Sequence, residues 1–87
     1  MANAQSRKVL VACGTRITEA RLARGFSQEI LAEMAGPHRT YIGTVERGER
    51  NPALVNLVRI ADALSVDLST LTEGLSIASA ARRGSTK

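Results

Sequence analysis

The sequence predicts an all-α domain, a compact bundle of about five helices, and three observations carry that expectation. Of 87 residues, 44% are hydrophobic but only 2% aromatic, with a single Phe and a single Tyr. A core so poor in rings must be built from Leu, Ile, Val and Ala, which suits packed helices better than a β-sandwich. The apolar residues recur at three- and four-residue spacing, the helical period. Gly, Pro, Ser and Asp punctuate them often enough to keep most of the helices short.

Taken in order, Met1 to about Gln5 are small and polar and are expected to fray. From about Ser6 to Arg24 the stripe Leu10, Cys13, Ile17, Ala20, Arg21 marks the first helix, with Val9 and Val11 widening it. Gly14 inside this helix costs up to ~1 kcal/mol against Ala, which implies close packing by another helix. Gly25 stops it, and Phe26 is expected to enter the core. Ser27 is an N-cap for the second helix, Gln28 to Ala35, with Glu29 favourable in its first turn. Gly36 suits the turn after it and Pro37 prevents continuation. The third helix starts after His38 and runs to about Arg47. Asn51 and Pro52 are read as the cap and opening of a fourth, to about Leu64, with Leu54, Leu57, Val58, Ile60 and Ala61 on a wide apolar face. Asp67 caps a last short helix, Leu68 to about Thr72. The domain is expected to span residues 1–73, and residues 74–87 form a tail, either disordered or a further helix used in self-association.

The stretch from Ser27 to Gly48 organises the rest. Leu31, Ala32, Ala35, Ile42 and Val45 fall where two short helices press on each other and on a core, and Ala32 is small enough for a close crossing. Two helices joined by a tight turn in this way form a helix-turn-helix, whose second helix enters a DNA major groove.

Composition excludes several classes. One cysteine, Cys13, and one histidine, His38, allow no internal disulfide and no cysteine or histidine-pair metal site, so no metal and no cofactor is expected. A chain with so few groups for catalysis gives nothing from which to assemble an active site. No apolar run approaches the ~20 residues of a membrane span, and the Val9 to Cys13 piece is too short for a signal-peptide core. The expectation is a cytoplasmic, non-enzymatic domain. Net charge is +4, and it is unevenly spread. Arg7, Lys8, Arg16, Arg21 and Arg24 stand against Glu19 in the first segment. Arg39, Arg47, Arg50 and Arg59 stand against Glu46 and Glu49 in the middle. Asp62, Asp67 and Glu73 follow without a base up to Ala80. One basic face and one acidic end suit docking onto phosphate.

With these residues in view, F-S-Q-E-x-L-A-x-x-A-G, R-T-Y-I-G-x-V-E-R-G, N-P-x-L and I-A-x-A-L-x-V resemble the Cro/C1-type (XRE) helix-turn-helix family of bacterial and phage regulators, over roughly Cys13 to Leu71. The resemblance implies a lambda-repressor-like DNA-binding fold. Two departures stand out: Gly-Pro-His at the turn puts His38 where the family usually has a capping hydroxyl, and Ser65 replaces a usual Gly. The R-T-Y-I-G…E-R-G-E-R-N run especially resembles controller proteins of restriction-modification systems.

The resemblance places base contacts at Arg39, Thr40 and Thr44, and contacts to the DNA backbone at Gln28, Arg47, Arg50 and Asn51. It also implies a buried salt bridge between Arg21 and Glu46. The chemistry of the side chains agrees: Arg pairs with guanine O6 and N7, and Thr offers a hydroxyl and a methyl to a base edge. The Tyr41 hydroxyl is read either as a backbone phosphate contact or as cover for the helix edge. The expected function is a sequence-specific transcription regulator, such as a repressor, binding double-stranded DNA as a homodimer on a two-fold operator. Val58, Leu68, Leu71, Leu75 and Ile77 are the candidates for the dimer contact. The alternative is an antitoxin, or another protein-interaction module, that uses the same motif for autoregulation. The cell compartment implied is the bacterial cytoplasm, in association with the nucleoid.

Overall fold

Five α-helices follow one another in the computed structural model, which describes residues 3–77: α1 (Ala4–Ala23), α2 (Gln28–Ala35), α3 (Arg39–Glu46), α4 (Leu54–Ala63) and α5 (Leu68–Thr72). No strand occurs among the described residues. Helix α1 packs on α3 and α5, α2 on α3 and α4, and α4 on α5. Ile17, Leu31, Ile42, Val45, Ile60, Leu64 and Leu71 fill the centre and are essentially inaccessible to water. Each apolar side chain so buried contributes about 1.5–3 kcal/mol by leaving water. No helix among the described residues is long and apolar enough to cross a membrane.

The helix starts are set by side chains that accept the first free N–H groups. Ser27 accepts from Ile30 N–H at 3.0 Å, and Asp67 accepts from Ser69 N–H at 3.2 Å and from the Ser69 hydroxyl at 2.6 Å. The Ser69 hydroxyl, then its N–H, hold the Asp67 carboxyl below its ordinary value. That contribution is complete above the ordinary carboxylate range and is lost as the pH falls through the depressed value. Gly36 ends α2 at φ 109°, a conformation that an L side chain would resist. Ser65 takes φ 58° without being glycine, a local cost at the turn into α5.

Several expectations are corrected. Helix α1 begins at Ala4 instead of near Ser6, because the Asn3 side chain accepts from Ser6 N–H at 2.9 Å. Helix α4 begins at Leu54, two residues later than expected. Neither Asn51 nor Pro52 opens it, and no side chain caps it; the Ala53 N–H instead donates to the Tyr41 hydroxyl at 3.3 Å. Phe26 is only partly buried against the core, with the Arg24 guanidinium 5.4 Å from its ring centroid. Leu71, a candidate for the dimer contact, is 0% exposed and belongs to this chain's own core. Its side chain is therefore not at the surface where a second copy could meet it. Leu68 and Leu75 also lean on that core and are partly buried. Residues 78–87, most of the expected tail, lie outside the described residues.

At Gly14 the backbone of α1 lies close against the end of α3. A β-carbon there would overlap the carbonyl oxygens of Val45 and Glu46, backbone atoms that cannot rotate away. Gly14→Ala should therefore destabilise the fold despite its better helix propensity, by about 1–3 kcal/mol, the usual range for overpacking. Urea denaturation followed by circular dichroism would measure it, and a stability equal to or above the parent would contradict this packing.

Candidate nucleic-acid interface

Helix α3 is amphipathic in a specific way: Ile42, Val45 and Glu46 point inwards while Arg39 and Thr40 are exposed. The buried acid is held from α1. Arg21 Nε donates to Glu46 Oε2 at 2.7 Å and Arg21 Nη2 to Glu46 Oε1 at 3.1 Å, a two-pronged pair of the strong, charge-assisted kind. The third arginine donor, Nη1, reaches the Phe26 carbonyl at 2.9 Å. Gln28 on α2 adds a bond from Nε2 to Glu46 Oε1 at 2.9 Å. Side-chain exposure is 11% for Arg21 and 4% for Glu46, so the pair sits out of water and three helices converge on one carboxylate. The Gln28 amide is thus engaged inwards, as a brace for α3.

The outer surface is arranged by weaker contacts. His38 caps α3, its Nδ1 accepting from Thr40 N–H at 3.0 Å; this ring nitrogen does the work of the usual hydroxyl. The Thr44 hydroxyl donates to the Tyr41 carbonyl at 2.8 Å. Its proton is therefore occupied, and its methyl group and lone pairs remain for a ligand. Tyr41 organises the loop after α3. Its hydroxyl accepts from Ala53 N–H and, at 3.2 Å, from Asn56 Nδ2, while the Arg50 guanidinium lies 5.3 Å from its ring centroid. Gly43 makes room for two neighbours: a β-carbon there would stand 3.2 Å from Arg47 Nη1 and 3.6 Å from Gln28 Oε1. Arg47 and Asn51 are exposed in the same loop region.

Arg39, Thr40, Thr44, Arg47, Arg50 and Asn51 thus lie on α3 or the loop that follows it. On α2, Glu29 and Glu33 are exposed and line a cleft with His38 and Arg39. The face is of mixed sign for that reason. Two exposed apolar residues of α4, Leu54 (66%) and Val55 (61%), were missed as surface features and lie near Val58 (39%) on that helix. Helical spacing marked Leu54 as apolar but could not tell the core flank from the exposed flank. Among the described residues no group of three potential metal ligands occurs. Burial pushes the Cys13 thiol up from its ordinary value, partly opposed by Arg16, which keeps it protonated and unreactive.

A short helix braced from within, with an exposed Arg-Thr start and a basic loop behind it, defines a helix-turn-helix domain of the kind found in DNA-binding transcription regulators. The chain belongs to the helix-turn-helix family, whose profile matches residues 17–71. It is 51% identical over 51 residues to the control protein C.SmaI of Serratia marcescens, an alignment covering 59% of this chain and 61% of that protein. It therefore spans somewhat less than two thirds of that relative. Identity to the control protein C.BamHI of Bacillus amyloliquefaciens is 41% over 61 residues, 69% of this chain and 75% of the relative. The crystal structure of the restriction-modification controller protein C.AhdI from Aeromonas hydrophila superposes with a TM-score of 0.70 at 48% identity, covering 71% of this chain and 94% of that one.

The brace makes a direct prediction. Glu46→Ala would leave the Arg21 guanidinium buried without its counter-charge and should cost about 3–5 kcal/mol, read from the unfolding midpoint. The double variant Arg21→Met with Glu46→Leu should recover much of that loss. No recovery would mean that the pair is needed for more than mutual neutralisation.

Proposed function

We propose that this protein is a transcription regulator that binds double-stranded DNA as a homodimer on a two-fold operator, with α3 in the major groove. The observation that carries this reading is the single carboxylate of Glu46, bonded from α1 and α2. It braces α3 from behind and leaves Arg39 and Thr40 exposed in front. In this reading Arg39, Thr40 and Thr44 meet base edges, Arg39 by the forked contact to guanine. Arg47, Arg50, Asn51 and Gln28, the last through the amide hydrogen not given to Glu46, lie along the phosphates and set the register. Tyr41 serves mainly by holding the loop that carries Arg50, and its hydroxyl proton is left to donate to a phosphate. The similarity to C.SmaI and C.BamHI, both named control proteins, supports the narrower role of controller in a restriction-modification system.

Residues 1–73 form the DNA-binding unit in this reading, and residues 74–87 are a tail. A single domain of this size touches few base pairs, so a second copy one helical turn away supplies affinity and register. The exposed flank of α4 at Leu54, Val55 and Val58, together with Ile77, supplies apolar surface for that contact, and the buried Leu71 does not.

A gel shift with the DNA upstream of the protein's own gene tests the main reading. Wild type should bind it in preference to random competitor, with log affinity falling by about 0.9 per phosphate contact for each unit of log salt. Arg39→Ala should cost about 1–3 kcal/mol of that discrimination. Binding no better than to random DNA would overturn the regulator role. For the assembly, sedimentation should give a dimer for wild type and a monomer for Val58→Glu, with binding to the two-fold site weakened in parallel. A dimer that persists in Val58→Glu, Leu54→Glu and Ile77→Glu alike would place the contact elsewhere.

A further inference from the structure

The arginines at the two ends of α3 each face a carboxylate of the same chain through the same atom. Arg39 Nε lies 3.8 Å from Glu29 Oε2, and Arg47 Nε donates to Glu49 Oε2 at 3.0 Å. All four side chains are more than half exposed. Ion pairs so open to solvent add little to stability, so the fold gives no account of why acids stand beside the residues that would meet DNA. Glu29 does suit the first turn of α2, yet that role needs no contact with Arg39. Glu33, one turn further along, lines the same cleft as Arg39 but makes no ion pair among the described residues.

We propose that Glu29 is a specificity-determining residue that acts by positioning Arg39; this rests on the DNA-binding reading above. A guanidinium has five donors in a rigid fork. With Nε turned towards Glu29, the edge carrying Nη1 and Nη2 stays free for guanine O6 and N7, and the flexible side chain is restrained on the α2 side of the groove. On a non-cognate site the remaining partner for Arg39 is a phosphate. Reaching it draws the guanidinium away from Glu29 and leaves the carboxylate without its counter-charge beside the DNA backbone, where like charge opposes binding. Glu29 thus weighs more heavily against random DNA than against the cognate site. Glu49 differs because its partner Arg47 has a phosphate role on every sequence, so Glu49 restrains affinity without altering choice.

Fluorescence anisotropy at one salt concentration, with the upstream duplex and a random duplex of equal length, tests this. In Glu29→Gln the ratio of the two affinities should fall about threefold or more, chiefly through tighter random binding. Glu29→Asp, which shortens the reach to Arg39 but keeps the charge that opposes random DNA, should lower the ratio by less than Glu29→Gln does. Glu33→Gln, the charge-matched control, should leave the ratio unchanged, and Glu49→Gln should tighten both duplexes alike. In an Arg39→Ala background Glu29→Gln should change the ratio no more than Glu33→Gln does. Equal ratios in wild type and Glu29→Gln, or an effect that survives the loss of Arg39, would overturn the proposal. A wild type that does not discriminate between the duplexes would instead defeat the DNA-binding reading. Thermal melts of each variant ensure that folded proteins are compared.

Discussion

The carboxylate of Glu46 is the constraint on which the rest depends. It belongs to the last turn of α3, a helix of eight residues, too short to be stable by its own hydrogen bonds. Its direction in space comes from outside. Arg21 grips it from α1 and Gln28 from α2, and Gly14 lets the α1 backbone approach the carbonyls at its end. A buried ion pair is seldom a large net source of stability, because desolvation of both charges offsets most of their attraction. Its value here is geometric. Two parallel hydrogen bonds define an orientation more narrowly than apolar contact does, and the Phe26 carbonyl takes the remaining guanidinium arm.

With the inner side committed to the brace, the outer side of α3 has little packing to satisfy. Its side chains are held by light, local contacts: a histidine cap, a threonine hydroxyl turned to the backbone, and exposed ion pairs. Such a surface can exchange partners at small cost, which a ligand-binding face requires. The loop after α3 is firmer. Tyr41 gathers the Ala53 amide, the Asn56 side chain and the Arg50 guanidinium around one ring. The loop is thereby carried on α3, and a movement of the helix would carry Arg50 with it.

The α4 flank follows a different logic. Leu57, Ile60 and Ala61 close the core, whereas Leu54 and Val55 stand more than 60% exposed. Apolar side chains left in water on a helix whose opposite side is fully packed are the kind of surface that association covers. The acidic residues Asp62, Asp67 and Glu73 are also exposed, away from the arginine-bearing loop in sequence.

The all-helical class, the five helices of the described residues and the caps at Ser27 and Asp67 were legible in the sequence, because spacing, breakers and caps act over a few residues. Which arginine is buried and which is exposed is not a local property, and only the family resemblance paired Arg21 with Glu46, as the structure does. Arg21 and Arg39 are the same residue type, one near the end of α1 and the other at the start of α3. Only packing against Glu46, 25 positions away in sequence, makes the first structural. In the same way Leu57 and Leu54 are both apolar on one helix, and the tertiary crossing with α2 and α5 decides which one meets water. For the same reason Leu71, a candidate for the dimer contact, lies in the core of its own chain. The start of α4 was misjudged because the Ala53 amide found its partner in Tyr41, twelve residues back. Local chemistry decided where helices can form. Long-range packing decided which faces of those helices remain for function.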